Sequence, residues 1–152
     1  MLHQTKAWLG AIPWSALVQR NQELCSAKGF PHTLNPKTCS KAQRLWESAY
    51  ARPCTLGEAI ELCRRCNDVV PFTFASDQTF IAVGLEVVED MLRRLPPVEA
   101  QILRQTVSHY IAGFVTRKEL VQVFQHCELL LVKQRGFSPV TAPVTVVQVQ
   151  RS

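Results

Sequence analysis

Asp77 to Leu95 reads DQTFIAVGLEVVEDMLRRL, and its spacing decides the fold. Ile81, Leu85, Val88, Leu92 and Leu95 recur at i, i+4, i+7, i+11 and i+14, the period of an α-helix with an apolar face. Phe80, Val83, Val87 and Met91 form an adjoining stripe, which leaves Glu86, Glu89, Asp90 and Arg93 as the polar side. A helix this apolar is expected at the centre of a bundle, covered on more than one face. Ser76 or Asp77 is placed to cap its start. Pro96 and Pro97 end it and open the next helix, with Pro97 suited to the first helical position.

Two more helices follow this segment. The first carries Val98, Ile102, Leu103, Val107, Tyr110, Ile111 and Phe114. Thr116 and Glu119 then have the spacing of a capping box, opening a helix with Leu120, Val123, Phe124, Cys127, Leu130 and Leu131 before Gly136. Short connectors make the three an up-down-up set.

Upstream, a helix over Trp14–Lys28 stops at Gly29, a residue that tolerates the left-handed cap. Residues 30–38 hold Pro31, Asn35 and Pro36 and read as a loop. Ser40 can cap a helix through Arg52, and Pro53 breaks it. Thr55 and Glu58 form another capping box for a helix to Asp68, and 69–74 reads as an extended segment tucked against the core. The expected fold is all-α: a compact bundle of five to six helices in a single domain over 1–136, with an extended tail over 137–152. The tail's Val144–Gln150 stretch is β-prone, with no second strand in the chain to pair with.

At 152 residues the chain can bury a core without staples, but it is too short for a two-domain cofactor enzyme. Charged residues are 19% of it, below the roughly 25% usual for soluble proteins. No window approaches the ~18–20 apolar residues of a membrane span. The net charge is +5, with the excess before residue 76, where nine Lys/Arg face five Asp/Glu. That is modest beside the basic stripes of a dedicated nucleic-acid binder. Contact with RNA, an acidic membrane surface or an acidic partner is compatible with it. The first 22 residues contain Lys6, Arg20 and His3 and no acid. That composition suits either a retained organelle-targeting segment or a cleaved one. It also suits an ordinary N-terminal helix.

Candidate chemistry is thin. Cys63 and Cys66 share a helix face at i, i+3 and could supply half of a zinc site, but no second pair has matching spacing. As a redox dithiol they sit near a helix C-terminus, where the dipole disfavours a thiolate. Cys54, Cys63 and Cys66 are read as buried thiols or, for Cys54 with Cys63, a structural disulfide. His3, His32, His109 and His126 show no ligand spacing. Gly84 and Gly113 are isolated within helices, where they permit close helix approach rather than bind phosphate. No catalytic residue, cofactor site or metal site is expected.

The sequence therefore leads to a non-enzymatic accessory subunit of a larger protein assembly. The acid-free start points to a mitochondrial one: a respiratory-chain or ATP-synthase complex first, a mitochondrial ribosome after them, with the cytoplasm as the other compartment. The residues expected to dock on partner subunits are Phe137, Val144, Val146 and Val149 of the tail, with Trp8 and Trp14 at the other end. The alternative is a basic RNA-binding or ribosomal module using Arg20, Lys28, Lys37, Lys41, Arg44, Arg52, Arg64 and Arg65.

Overall fold

The structure, a computed structural model, describes the backbone of residues 3–136 and the side chains of 3–134. Phe137, Val144, Val146 and Val149 lie outside the described residues. Helix takes up 69% of what is described, and no strand forms there. The elements are α1 (Trp14–Lys28), α2 (Cys39–Ala49), α3 (Leu56–Asp68), α4 (Ser76–Val87), α5 (Glu89–Arg94), α6 (Pro97–Ala112) and α7 (Arg117–Gly136). The all-α expectation holds.

Local chemistry sets most of the boundaries. At α3 the Glu58 N–H donates to Thr55 Oγ1 at 3.2 Å and the Thr55 N–H donates to Glu58 Oε1 at 2.8 Å. Thr116 and Glu119 repeat the pair at α7, at 3.0 and 3.2 Å. Both carboxyls are held below their ordinary range, first by these backbone N–H groups. The stabilisation is therefore present above the ordinary carboxylate pKa and is withdrawn as acid protonates them. Gly29 and Gly113 close α1 and α6 in the left-handed conformation, at φ 78° and 92°. Gly113 is thus a cap rather than the helix-interior glycine expected from the sequence, and α2 ends at Ala49, short of the expected Arg52.

The stretch from Asp77 to Leu95 is one helix in the sequence reading and two in the structure. The chain breaks step at Val88, with φ −95° and ψ 6°, giving α4 and α5 and a total of seven helices among the described residues. The face that is covered also differs. Phe80, Val83, Val88, Met91 and Leu95 are buried, while Leu85 and Leu92 of the leading stripe are only half-buried. The reason is Gly84. A Cβ there would lie 2.4 Å from Ile111 Cδ1 and 3.4 Å from Val107 Cγ1, so α6 crosses α4 directly over the glycine. Crossing at that point buries the side chains next to Gly84 and leaves Leu85 at the edge. As expected of the most apolar segment, α4 is central, packing on α1, α3, α5 and α6.

The N-cap of α4 is Ala75, at φ 57°, rather than Ser76 or Asp77. Its support comes from another helix. Asn21 of α1 is fully buried, and its Nδ2 donates to Phe74 O at 2.8 Å and to Thr79 Oγ1 at 3.1 Å. The 30–38 loop and the 69–74 segment pair with each other: the Asn35 N–H donates to Pro71 O and the Thr73 N–H to Thr33 O, at 2.8 and 2.9 Å. Phe72, at the middle of this pairing, is fully buried. Ahead of α1, Lys6 and Cys54 exchange two backbone hydrogen bonds, and Leu9 and Ile12 are in the core.

Candidate functional site

The residues singled out in the sequence are dispersed by the fold. Trp14 is 7% exposed and stacks on Phe72 with ring centroids 5.8 Å apart, so it presents little surface to a partner. Trp8 is half-buried, with the Lys6 ammonium 4.1 Å from its ring centroid. Trp46 is enclosed entirely, its indole N–H donating to Ile12 O at 2.8 Å.

All six cysteines are free thiols. Cys63 and Cys66 are fully buried. Desolvation pushes Cys63 well above the ordinary thiol range and Cys66 up to about 12, so neither ionises near neutral pH and neither is an activated nucleophile. Cys54 is half-buried, and its pKa is also raised, by desolvation and then by Glu58. A thiol-specific reagent such as dithiobis(nitrobenzoate) should consequently reach only the half-buried Cys39 and Cys54 in the native protein. Cys63 and Cys66 should react only after denaturant is added. Rapid native labelling of either would show that the core opens there.

The basic residues fall into two sets. Arg20 of α1 is ion-paired with Glu86 of α4. Arg64 lies 4.6 Å from the Tyr110 ring centroid and donates to Val115 O at 3.0 Å, which ties α3 to the α6–α7 turn. These two serve the fold. Arg52 and Arg65 are exposed, and their side chains have neither a hydrogen bond nor a carboxylate partner among the described residues. Both line a cleft of about 360 Å³, together with Arg117 at the start of α7. Arg117 is ion-paired with Glu61 of α3 in the same cleft.

Apolar surface is concentrated on the last two long helices. α7 packs chiefly on α6. Val121, Leu129 and Val132 are 38%, 63% and 55% exposed. At 3.6 residues per turn they lie within about 80° of arc, on a face they share with the exposed Lys118 and Gln125 and turned away from the buried Leu120, Phe124, Cys127 and Leu131. Val98 and Ile102 of α6 are also exposed, and Phe114, at the α6–α7 turn, is 81% exposed.

The sequence reading overlooked one cluster. His32 Nδ1 lies 2.9 Å from Asn21 Oδ1, and the Cys25 thiol donates to the same oxygen at 3.6 Å. Cysteine, histidine and asparagine together suggest nucleophilic catalysis, but the geometry does not. The thiol is fully buried and turned toward Asn21 Oδ1 and the Phe74 carbonyl, and Asn21 also holds the α4 start. The available signal was Asn21 itself, a polar residue in register with Leu17 and Cys25 on the inward face of α1.

Among the described residues, no group of three His, Cys, Asp or Glu side chains is arranged to hold a metal ion, and no helix is long and apolar enough to cross a membrane.

Neither a family model, nor a curated protein, nor a solved structure matches this chain.

Two surface features bear on function, the exposed apolar residues of α7 and a cationic cleft between α3, the end of α2 and the start of α7.

Proposed function

We propose that this protein is a non-enzymatic accessory subunit that docks onto other proteins of a larger assembly. The observation that carries the reading is the α7 stripe. A helix covered chiefly by one neighbour, with Val121, Leu129 and Val132 facing outward, has the pattern of an interface rather than of a solvated face. The buried, un-ionised thiols of α3 also speak against thiol chemistry there. A mitochondrial assembly, of the respiratory-chain, ATP-synthase or ribosomal kind, is the leading setting. Its support is the acid-free composition of residues 1–22. The tail residues Phe137, Val144, Val146 and Val149 would add a further apolar contact.

The RNA-binding alternative has less support, because Arg20 and Arg64 of its basic set are engaged within the fold.

The test is a Leu129→Glu, Val132→Glu double variant, compared with wild type by native purification from its own cells. Exposed positions tolerate such changes within about 0.5 kcal/mol each, so helix content and melting should be nearly unchanged. The wild type should elute in an assembly much larger than 17.1 kDa, resistant to salt, and the variant should not. Normal assembly of the variant would overturn the reading. A steep salt dependence, with a slope near about −0.7 per phosphate contacted, would transfer it to single-stranded RNA.

A further inference from the structure

The cleft bounded by Arg52, Arg65 and Arg117 belongs to neither the core nor the α7 stripe. Its lining is mixed: Pro53 is exposed and Ala49 and Cys54 are half-buried, while Ala59 and Leu62 are buried. Its walls carry three guanidinium groups and two carboxylates, those of Glu58 and Glu61. The carboxylates are already engaged, Glu58 with the Thr55 cap and Glu61 with Arg117. Arg52 and Arg65 are not, and they stand as exposed cations at the edges.

We propose that this cleft receives an acidic, partly apolar segment of a partner protein, with an aliphatic side chain against Ala49, Pro53 and Cys54 and flanking carboxylates on Arg52 and Arg65. The planar, five-donor guanidinium matches a carboxylate in bidentate geometry, and such charge-assisted pairs are the stronger hydrogen bonds. The interrupted positive charge is what separates this occupant from a nucleic acid. A nucleic-acid backbone needs a continuous basic track, whereas here Glu58 and Glu61 interrupt it and leave two free cations. The base-stacking platform expected of a single-strand binder is also lacking among the residues lining the cleft. This extends the accessory-subunit reading to a second surface. Its test uses purified protein and a peptide, so the outcome for the α7 variant does not bear on it.

The experiment is an NMR titration of the ¹⁵N-labelled full chain. The probe is a short, N-acetylated, C-amidated peptide of alternating Glu and Leu, with a Lys–Leu peptide and an oligouridylate run alongside. The acidic peptide should shift the amides of Arg52, Cys54, Glu58, Arg65 and Arg117, saturably and less strongly at high salt, and the Lys–Leu peptide should not. Replacing Arg52→Gln and Arg65→Gln together should weaken binding by about tenfold or more. Both side chains are exposed, so the fold should survive. If it does not, the single Arg65→Gln variant carries the same comparison. Absence of localised shifts, or an undiminished affinity in the variant, overturns the proposal. Tighter binding of oligouridylate at the same residues also overturns it and assigns the cleft to RNA.

Discussion

Removing residues 1–22 is expected to abolish cooperative folding. The segment contributes Leu9, Ile12, Trp14 and Leu17 to the core, at 1%, 7%, 7% and 0% exposure. Truncating one large buried side chain costs about 2–5 kcal/mol. Losing all four, with their backbone, exceeds the roughly 5–15 kcal/mol by which a domain of this size is stable. Two further supports go with them: Ile12 O, the acceptor for the Trp46 indole, and Asn21, which holds the turn before α4. Thermal unfolding followed by circular dichroism should show no sigmoidal transition for the truncated chain. A cooperative transition near that of the full chain would mean that these residues are separable, as a cleaved leader would be. If the segment does carry a targeting signal, the burial of Leu9, Ile12 and Trp14 ties that signal to the folded body.

The second large effect is expected at Trp46. Its ring is fully buried, parallel to Tyr50 and tilted against Phe80, each at 6.3 Å between centroids. Phe80 in turn stacks on Phe72, and Phe72 on Trp14, so one aromatic row joins α2, α4, the 69–74 segment and α1. Trp46→Ala should destabilise by about 3–5 kcal/mol through the cavity alone, with about 1–3 kcal/mol more for the orphaned Ile12 carbonyl. Trp46→Phe keeps most of the ring and should lose little beyond the hydrogen-bond share. Urea unfolding of the three proteins checks both values. A loss under about 1 kcal/mol for the alanine variant would contradict the enclosed position of the ring.

The surfaces proposed for docking were unequally visible beforehand. Arg52 and Arg65 stood in the basic set from the start, but nothing local separated them from Arg20 and Arg64. The separation depends on Glu86 and Tyr110, which lie far along the chain and meet these arginines only in the folded state. Arg117, the third cation of the cleft, belonged to no such set, because its neighbours in sequence are those of an ordinary helix start. Leu129 and Val132 were likewise invisible as a stripe. An apolar residue reads as core until the neighbouring helices are placed, and here they cover the opposite side of α7. Trp14 shows the reverse. It was expected at a partner interface, and it instead stacks within the core because Phe72 is brought to it by the pairing of the 30–38 and 69–74 segments.

What the sequence determined by itself is the set of helices and most of their ends. Those depend on contacts within one turn: the Thr55–Glu58 and Thr116–Glu119 boxes, the break at Pro96, and the left-handed closure at Gly29. Interactions of that range are written in neighbouring residues and need no partner helix. The tertiary structure decided everything that depends on which faces meet. It split the central helix at Val88 and chose the Phe80–Val83 face over Leu85, because α6 approaches where Gly84 has no side chain. It also gave α4 its start, where Asn21 from α1 supplies hydrogen bonds that no residue next to Ala75 supplies. Adjacent apolar stripes have nearly equal periodicity. Only the shape of the neighbouring helix breaks the tie, and that shape is set by residues distant in the chain.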